Sequence, residues 1–471
     1  MKKYVLAGMT LCLGLQGMAQ TSADNRLEMQ VAEFAPLIKT NPSAASEAFD
    51  DMLKGKSKKD IGLLLEIGRA YLQAGKYAEA IGYADRAKEI YPKCAEAYLL
   101  SGDVGMAKND VNQASADYNQ AIFLDENCAE AYLKYADVYQ KVNPQLSLEM
   151  LERLQAKFPD DIRVNKQMGD IYYDMEEYGK AIEAYEGYMN KGEPSVQDYV
   201  RHAMLLYLNK EFDRSLESVR KGKVLQAENQ VLKRLAMYNN YELGNYDAGV
   251  ESAIALFKDP DDPELIYLDY IYWGRLLGAK EQYEEAILQF KKALVLDENQ
   301  ADVYRDMATM YEKLEDYPSA IATFQTYMGA LKTPSDVGDL FLYGRLNYYA
   351  AADSSLIANR PHYLAKADTA FAKVMKHAPD NYLGSFWRAR TNSLLDPETT
   401  QGLAKPHYET ALAILEKKPD ASVPVLVECL SYLGYYYFVK EDYPLSKYYW
   451  NEILAIDPDN QIAKTALQGI Q

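Results

Sequence analysis

An all-α solenoid of about eleven helix hairpins is the fold class this sequence predicts, and three observations predict it. A Gly or Ala recurs at Gly68, Gly102, Ala136, Gly169 and Ala203 in steps of 34, 34, 33 and 34 residues. Met237 fills the next place, and the series runs on through Gly274, Ala308, Gly344, Ala389 and Gly434. A second small residue follows, usually twelve later, in every unit: Ala80, Ala114, Ser147, Ala181, Ser215, Gly249, Ala286, Ala320, Ala367, Ala404 and Ser446. Large residues flank it, three before in Tyr77, Tyr178, Phe212, Tyr246, Tyr283, Tyr317 and Tyr443, or four after in Tyr118, Tyr185, Phe290, Phe324, Phe371, Tyr408 and Trp450.

Small residues on two consecutive helices have a direct physical reading. Helix axes reach the lower end of their usual separation of about 8–10 Å only where side chains are short, and large neighbours must fill the space beside the contact. A short polar turn divides each unit, as in Ala74-Gly75-Lys76, Leu243-Gly244-Asn245 and Leu314-Glu315-Asp316. Pro92, Pro159, Pro379 and Pro458 fall near unit ends, because the ring cannot continue a helix. Each unit is a hairpin, and the several globular domains that 471 residues would otherwise imply give way to one array.

Along the chain, residues 1–19 form a signal peptide: Lys2 and Lys3 precede the apolar stretch Tyr4–Leu15, and Gly17 and Ala19 set a cleavage site that leaves Gln20 first. Cys12 is not read as a lipid anchor, since Met9-Thr10-Leu11 lacks the small residues such anchors place before the cysteine. In residues 20–60, Leu27, Val31, Phe34 and Ile38, then Ala45, Ala48, Phe49 and Met52, space as faces of capping helices, tied on by the basic linker Lys54–Lys59. Residues 61–336 hold regular units. Residues 337–460 hold irregular ones, with 23 residues from Gly344 to Ala367, so the stretch around Ser354–Pro361 is expected to project as a loop. Residues 461–471 should cap the array through Ile462, Ala466, Leu467 and Ile470 on one helix face.

Gly68, Tyr71, Ala80, Ala87 and Pro92, with Gly169, Tyr172, Ala181 and Tyr185, and with Ala308, Tyr311, Ala320 and Phe324, resemble the tetratricopeptide repeat over about residues 61 to 460. The resemblance implies a right-handed superhelical solenoid whose first helices line a concave groove, with the ninth position of each unit facing in. That position holds Arg69, Asp103, Asp137 and Asp170 in the first four units, so three aspartates are expected to form an acidic strip favouring a basic partner segment. Three positions further along come Tyr173, Tyr207, Tyr241, Tyr348 and Phe438. These either fill gaps beneath neighbouring helices or form an aromatic ladder that holds a peptide. The clamp by which some members of the family grip a peptide's terminal carboxylate needs Lys and Asn where this chain has Leu65 and Arg69, and is excluded.

Chemistry is sparse. His202, His362, His377 and His407 make no recognisable metal or general-base set, although the long loop would let His362 and His377 approach each other. No nucleophile elbow, phosphate loop or CxxC occurs, so neither an enzyme nor a cofactor is expected. Cys94 and Cys128 lie one period apart, about 10 Å by helix packing, too far for a disulfide, and Cys429 stands alone. A net charge of −18 makes duplex nucleic acid a poor partner.

The reading that results is a periplasmic scaffold of the cell envelope that binds a protein partner, through which it associates with the outer membrane, in envelope assembly or secretion. The alternative is a glycan-binding protein of an outer-membrane uptake system. The 41 tyrosines permit that alternative, while a total of three tryptophans speaks against it.

Overall fold

The computed structural model describes residues 26–259 and 263–470, and every regular element among them is helical. The expected leader, Cys12 and Gln20 lie outside the described residues. The chain divides into two bodies, one ending at Ala227 and the other beginning at Glu228. No helix among the described residues is long and apolar enough to cross a membrane.

The N-terminal body opens with residues 26–34, Leu37–Thr40 and Pro42–Met52, which bury Val31, Ile38, Ala45 and Phe49 against Leu64 and Ile67. Five hairpins follow: Ile61–Gln73 with Tyr77–Ile90, Ala95–Ala107 with Val111–Leu124, Ala129–Tyr139 with Pro144–Lys157, Ile162–Asp174 with Tyr178–Lys191, and Val196–Leu208 with Phe212–Leu225. The C-terminal body holds six: Gln230–Glu242 with Tyr246–Leu256, Tyr267–Ala279 with Tyr283–Leu296, Ala301–Lys313 with Tyr317–Ala330, Val337–Ala352 with Arg360–His377, Tyr382–Leu395 with Lys405–Leu415, and Val423–Val439 with Tyr443–Ile456. Numbered in order, these are repeats one to eleven; Gln461–Gly469 closes the chain.

The small positions act as expected. A Cβ added at Gly274 would stand 2.6 Å from the Phe290 ring, at Gly344 2.7 Å from Phe371, and at Gly434 2.7 Å from Trp450. These three first-helix glycines each receive the large residue of their own second helix, while Gly68 also receives Leu100 of the next repeat. Where the second small residue is Ser, it also donates a hydrogen bond to the carbonyl of the first: Ser147 to Ala136 at 2.6 Å, Ser215 to Ala203 at 2.7 Å and Ser446 to Gly434 at 2.7 Å. Serine thus matches alanine in size and ties the two helices of a hairpin through a buried bond.

Helix starts are capped by side chains. Asp110, Asp316 and Asp442 accept from the backbone N–H three residues on, at the start of second helices, Asp60 and Asn229 do so at first helices, and Asn460 at the closing helix. The turn inside the hairpin reverses through a left-handed residue, which is Gly75 or Gly244 in two repeats but Asn109, Glu176, Lys210, Glu281, Glu315 and Glu441 in six others. A side chain in that conformation costs about 1–2 kcal/mol. Glu281→Gly is accordingly expected to raise unfolding free energy by about 0.5–1 kcal/mol in urea titration, since glycine's freer unfolded chain returns part of the gain.

Three local expectations are corrected. The stretch around Ser354–Pro361 is not a projecting loop: Ser354–Asn359 is a 3-10 turn, and the extra residues lengthen the two flanking helices to 16 and 18 residues. His362 and His377 sit on one helix, fifteen residues apart, and so about 22 Å from each other. In the closing helix Ala466 and Leu467, with Ile470 just past its end, pack against the core as expected, but Ala463 takes the inward place expected of Ile462, which is 68% exposed.

Candidate partner-binding site

The candidate residues lie on the first helices of the repeats, where the ninth and twelfth positions share a face one turn apart. Among the aspartates, charge is partly spent internally. Asp103 accepts from Lys134 Nζ of the next repeat at 2.7 Å and from the Tyr118 hydroxyl at 2.8 Å. Asp170 stands 3.5 Å from Arg201 Nε, again of the next repeat, and burial raises its carboxyl above the ordinary range against the pull of Arg201 and Lys166. Asp137 is exposed. The acidic strip is thus a row in which two carboxylates already hold cations, and only the middle one faces solvent openly.

The aromatic positions lie mostly across their own hairpin turns. Tyr173 meets Tyr178 at 6.2 Å between ring centroids, Tyr207 meets Phe212 at 5.8 Å, Tyr241 meets Tyr246 at 6.1 Å and Phe438 meets Tyr443 at 6.0 Å. Tyr348 turns instead to Trp387 of the next repeat, edge-on at 5.2 Å. Burial raises the hydroxyls of Tyr241 and Tyr348 above the ordinary tyrosine range. These rings rest on partners along part of their surface and stay half-buried, Phe438 being 40% exposed.

In repeats four and five the two positions meet in a recess of about 400 Å³ lined by Lys166, Asp170, Tyr173, Gln197, Arg201 and Met204. The Arg201 guanidinium lies over the Tyr173 ring, 4.8 Å from its centroid. The Tyr173 hydroxyl faces the Met204 sulfur at 3.7 Å. A carboxylate, two cations, an amide, a thioether and an aromatic face side by side suit recognition of a mixed polar and apolar chain. They do not converge on a single reacting atom as a catalytic set would.

Two features of this face had no local sequence signature. The ninth position is basic in three of the six repeats of the C-terminal body, where Arg275, Arg345 and Arg390 pair with Asp306 at 2.7 Å, Glu312 at 2.9 Å and Glu428 at 2.5 Å. Beneath it, a buried aspartate at the third position of three repeats takes the cation of the preceding repeat's fifth position. Lys166 meets Asp198 at 2.6 Å, Arg234 meets Asp269 at 2.7 Å, and Arg305 approaches Asp339 at 3.8 Å. A tyrosine of the preceding repeat also donates to each: Tyr185 to Asp198 at 2.9 Å, Tyr238 to Asp269 at 2.6 Å and Tyr327 to Asp339 at 3.1 Å. The detectable signal was an opposite charge recurring roughly one period away, at separations of 32, 35 and 34 residues.

His202 and His407 are built into the scaffold, whereas His362 and His377 are exposed. His202 Nδ1 lies 2.9 Å from the Ser218 hydroxyl, and burial holds its ring below the ordinary imidazole range; burial does the same to His407. Cys94, Cys128 and Cys429 are free thiols, and burial pushes Cys94 up to about 11.

Family models described as tetratricopeptide repeat match residues 39–95 and 64–114, and one described as TPR repeat matches residues 274–315. No curated protein matches the chain. Among solved structures, the C-terminal part of a TPR repeat-containing protein from Cytophaga hutchinsonii is 28% identical, covers 57% of this chain and 99% of its own, and has a TM-score of 0.49. PilF of Pseudomonas aeruginosa is 19% identical over 45% of this chain and 96% of its own, with a TM-score of 0.38. A tetratricopeptide repeat protein from Parabacteroides merdae is 17% identical over 53% of this chain and 98% of its own, with a TM-score of 0.35. Small-to-large packing in successive hairpins and the matched segments in both bodies place the chain in the tetratricopeptide-repeat family.

Proposed function

We propose that this chain is a non-enzymatic interaction scaffold of the bacterial cell envelope, exported by its leader, and that it holds a segment of a partner protein against the first helices of repeats two to five. The observation that carries the reading is the recess around Tyr173, where an aromatic face, charges of both signs and an amide stand side by side on successive first helices. Rigid aromatic anchors beside a polar rim are the composition of protein interfaces. Association with the outer membrane, and a place in envelope assembly or secretion, follow in this proposal from the partner.

A photo-crosslinking residue at Tyr173, used in the native envelope and followed by mass spectrometry, tests it. Protein adducts are expected at Tyr173 and not at Phe123, which is 78% exposed on a second helix. Adducts at Phe123 alone would overturn the assignment. A basic partner segment adds a charge prediction. Asp137→Asn should weaken capture of an oligolysine peptide about two- to fivefold at low salt, while Asp103→Asn changes it little because Lys134 already neutralises that carboxylate. Equal effects from the two variants would remove the basic-segment part of the reading.

A further inference from the structure

In the C-terminal body, the second helices of repeats eight and nine and the first helix of repeat nine border a cleft of about 270 Å³. Met328, Leu340, Tyr343 and Ala370 line it with apolar surface, and Arg360–His377 adds His362, Lys366 and Lys373. Those three recur at helical spacing, so they form one stripe along the cleft. From His362 to Lys373 the stripe runs about 16 Å.

No carboxylate answers this stripe. The facing helix, Tyr317–Ala330, reads YPSAIATFQTYMGA and carries no charge. On the basic helix itself, Asp368 is turned to the next repeat, where it holds Arg388 at 2.8 Å and Asn392 at 2.8 Å. Asp339, next to Leu340, is 2% exposed and is taken by the Tyr327 hydroxyl at 3.1 Å and the approach of Arg305. Among the described residues neither Lys366 nor Lys373 forms an ion pair, in a chain whose net charge is −18. What sets these two second-helix lysines apart is the apolar floor of the cleft beside them, over which no counter-charge stands.

We propose that this cleft docks an acidic amphipathic segment of a partner protein, its carboxylates on Lys366 and Lys373 and one or two large apolar side chains on the floor. The chemistry narrows the occupant. The cleft lies below the roughly 300–1,000 Å³ of small-molecule pockets, so it admits side chains rather than a whole ligand. Anionic lipid surfaces are read by clusters of about 4–8 basic residues, more than stand here. Duplex nucleic acid carries a charge about every 1.7 Å, far more than two lysines over about 16 Å can answer. The site's charge preference is opposite to that proposed for repeats two to four, so the two sites would select different segments.

The test uses the full chain and a fluorescein-labelled twelve-residue peptide of Glu-Glu-Leu-Leu repeats, with the Lys-Lys-Leu-Leu counterpart and phosphatidylglycerol vesicles as comparisons. Anisotropy should show the acidic peptide binding, and Lys366→Glu with Lys373→Glu should weaken it by about tenfold or more. Ala365→Trp, an exposed position on the wall, should weaken it comparably while leaving charge untouched. Both variants alter solvent-accessible positions, and circular dichroism should show them folded as the parent. Unchanged affinity in either variant overturns the proposal, as does capture of the vesicles in place of the peptide.

Discussion

Asp198→Ala is expected to lower the unfolding free energy of the N-terminal body by about 3 kcal/mol. Asp198 is 2% exposed, and its carboxylate accepts from Lys166, from the Tyr185 and Tyr188 hydroxyls, and from both the hydroxyl and the backbone N–H of Ser195. Losing the capping box costs about 1 kcal/mol. Leaving the buried Tyr185 hydroxyl without its acceptor costs a further 1–3 kcal/mol or so. Lys166 is 41% exposed and regains water, so it adds little.

The same residue gives a pH signature. Burial pushes the Asp198 carboxyl up, but Lys166, Ser195 and Tyr185 together outweigh it and hold the group well below the ordinary range. A carboxyl depressed in the folded state contributes stability that is full above its unfolded value of about 3.9 and is lost as pH falls through the folded value. Urea titrations at pH 7 and pH 3 should therefore show the deficit of Asp198→Ala shrinking at the lower pH. A deficit that does not change with pH would mean that the carboxylate's charge is not what the joint uses.

Gly274→Val is the second large effect, an expected loss of about 2–3 kcal/mol measured the same way. The added Cβ would stand 2.6 Å from Phe290, a ring with no exposed surface, and overpacking of that kind typically costs about 1–3 kcal/mol before the poorer helix propensity of valine is added. Phe290→Leu in the same chain should recover part of the loss, and the pair should be non-additive because the two residues share one contact. Gly82 supplies the contrast. Nothing lies within 4 Å of a Cβ built there, in the middle of Tyr77–Ile90. Gly82→Ala should therefore stabilise by about 0.5–1 kcal/mol.

Small and large alternation was legible because it is enforced locally and repeats: Gly274 must be small wherever Phe290 is large, in every hairpin that uses the device. The reverse held for charge. Asp103 and Asp170 appeared as an unbroken acidic row because Lys134 and Arg201 sit on other helices, and no local periodicity joins a carboxylate to a cation one repeat away. The left-handed turn residue was legible at Gly75 and Gly244 but hidden at Glu176, Glu281, Glu315 and Glu441, where hairpin geometry overrides side-chain preference. The stretch around Ser354–Pro361 failed differently. Extra residues flanked by helix formers extend helices more readily than they form loops, and Pro361 sits in the first turn, where a helix tolerates it. Of the candidate site, the residues were legible and their partners were not.

The buried aspartates of the joints have an order in time. Lys166 and Tyr185 precede Asp198, Arg234 and Tyr238 precede Asp269, and Arg305 and Tyr327 precede Asp339, so the donors always leave the ribosome before their acceptor. A chain that emerges N-terminus first, from the ribosome or from an export channel, exposes a ready socket at its newest folded hairpin and then delivers the acid that closes it. Growth in that direction can thus close three joints, between repeats four and five, six and seven, and eight and nine, each with a residue whose donors the preceding hairpin already holds.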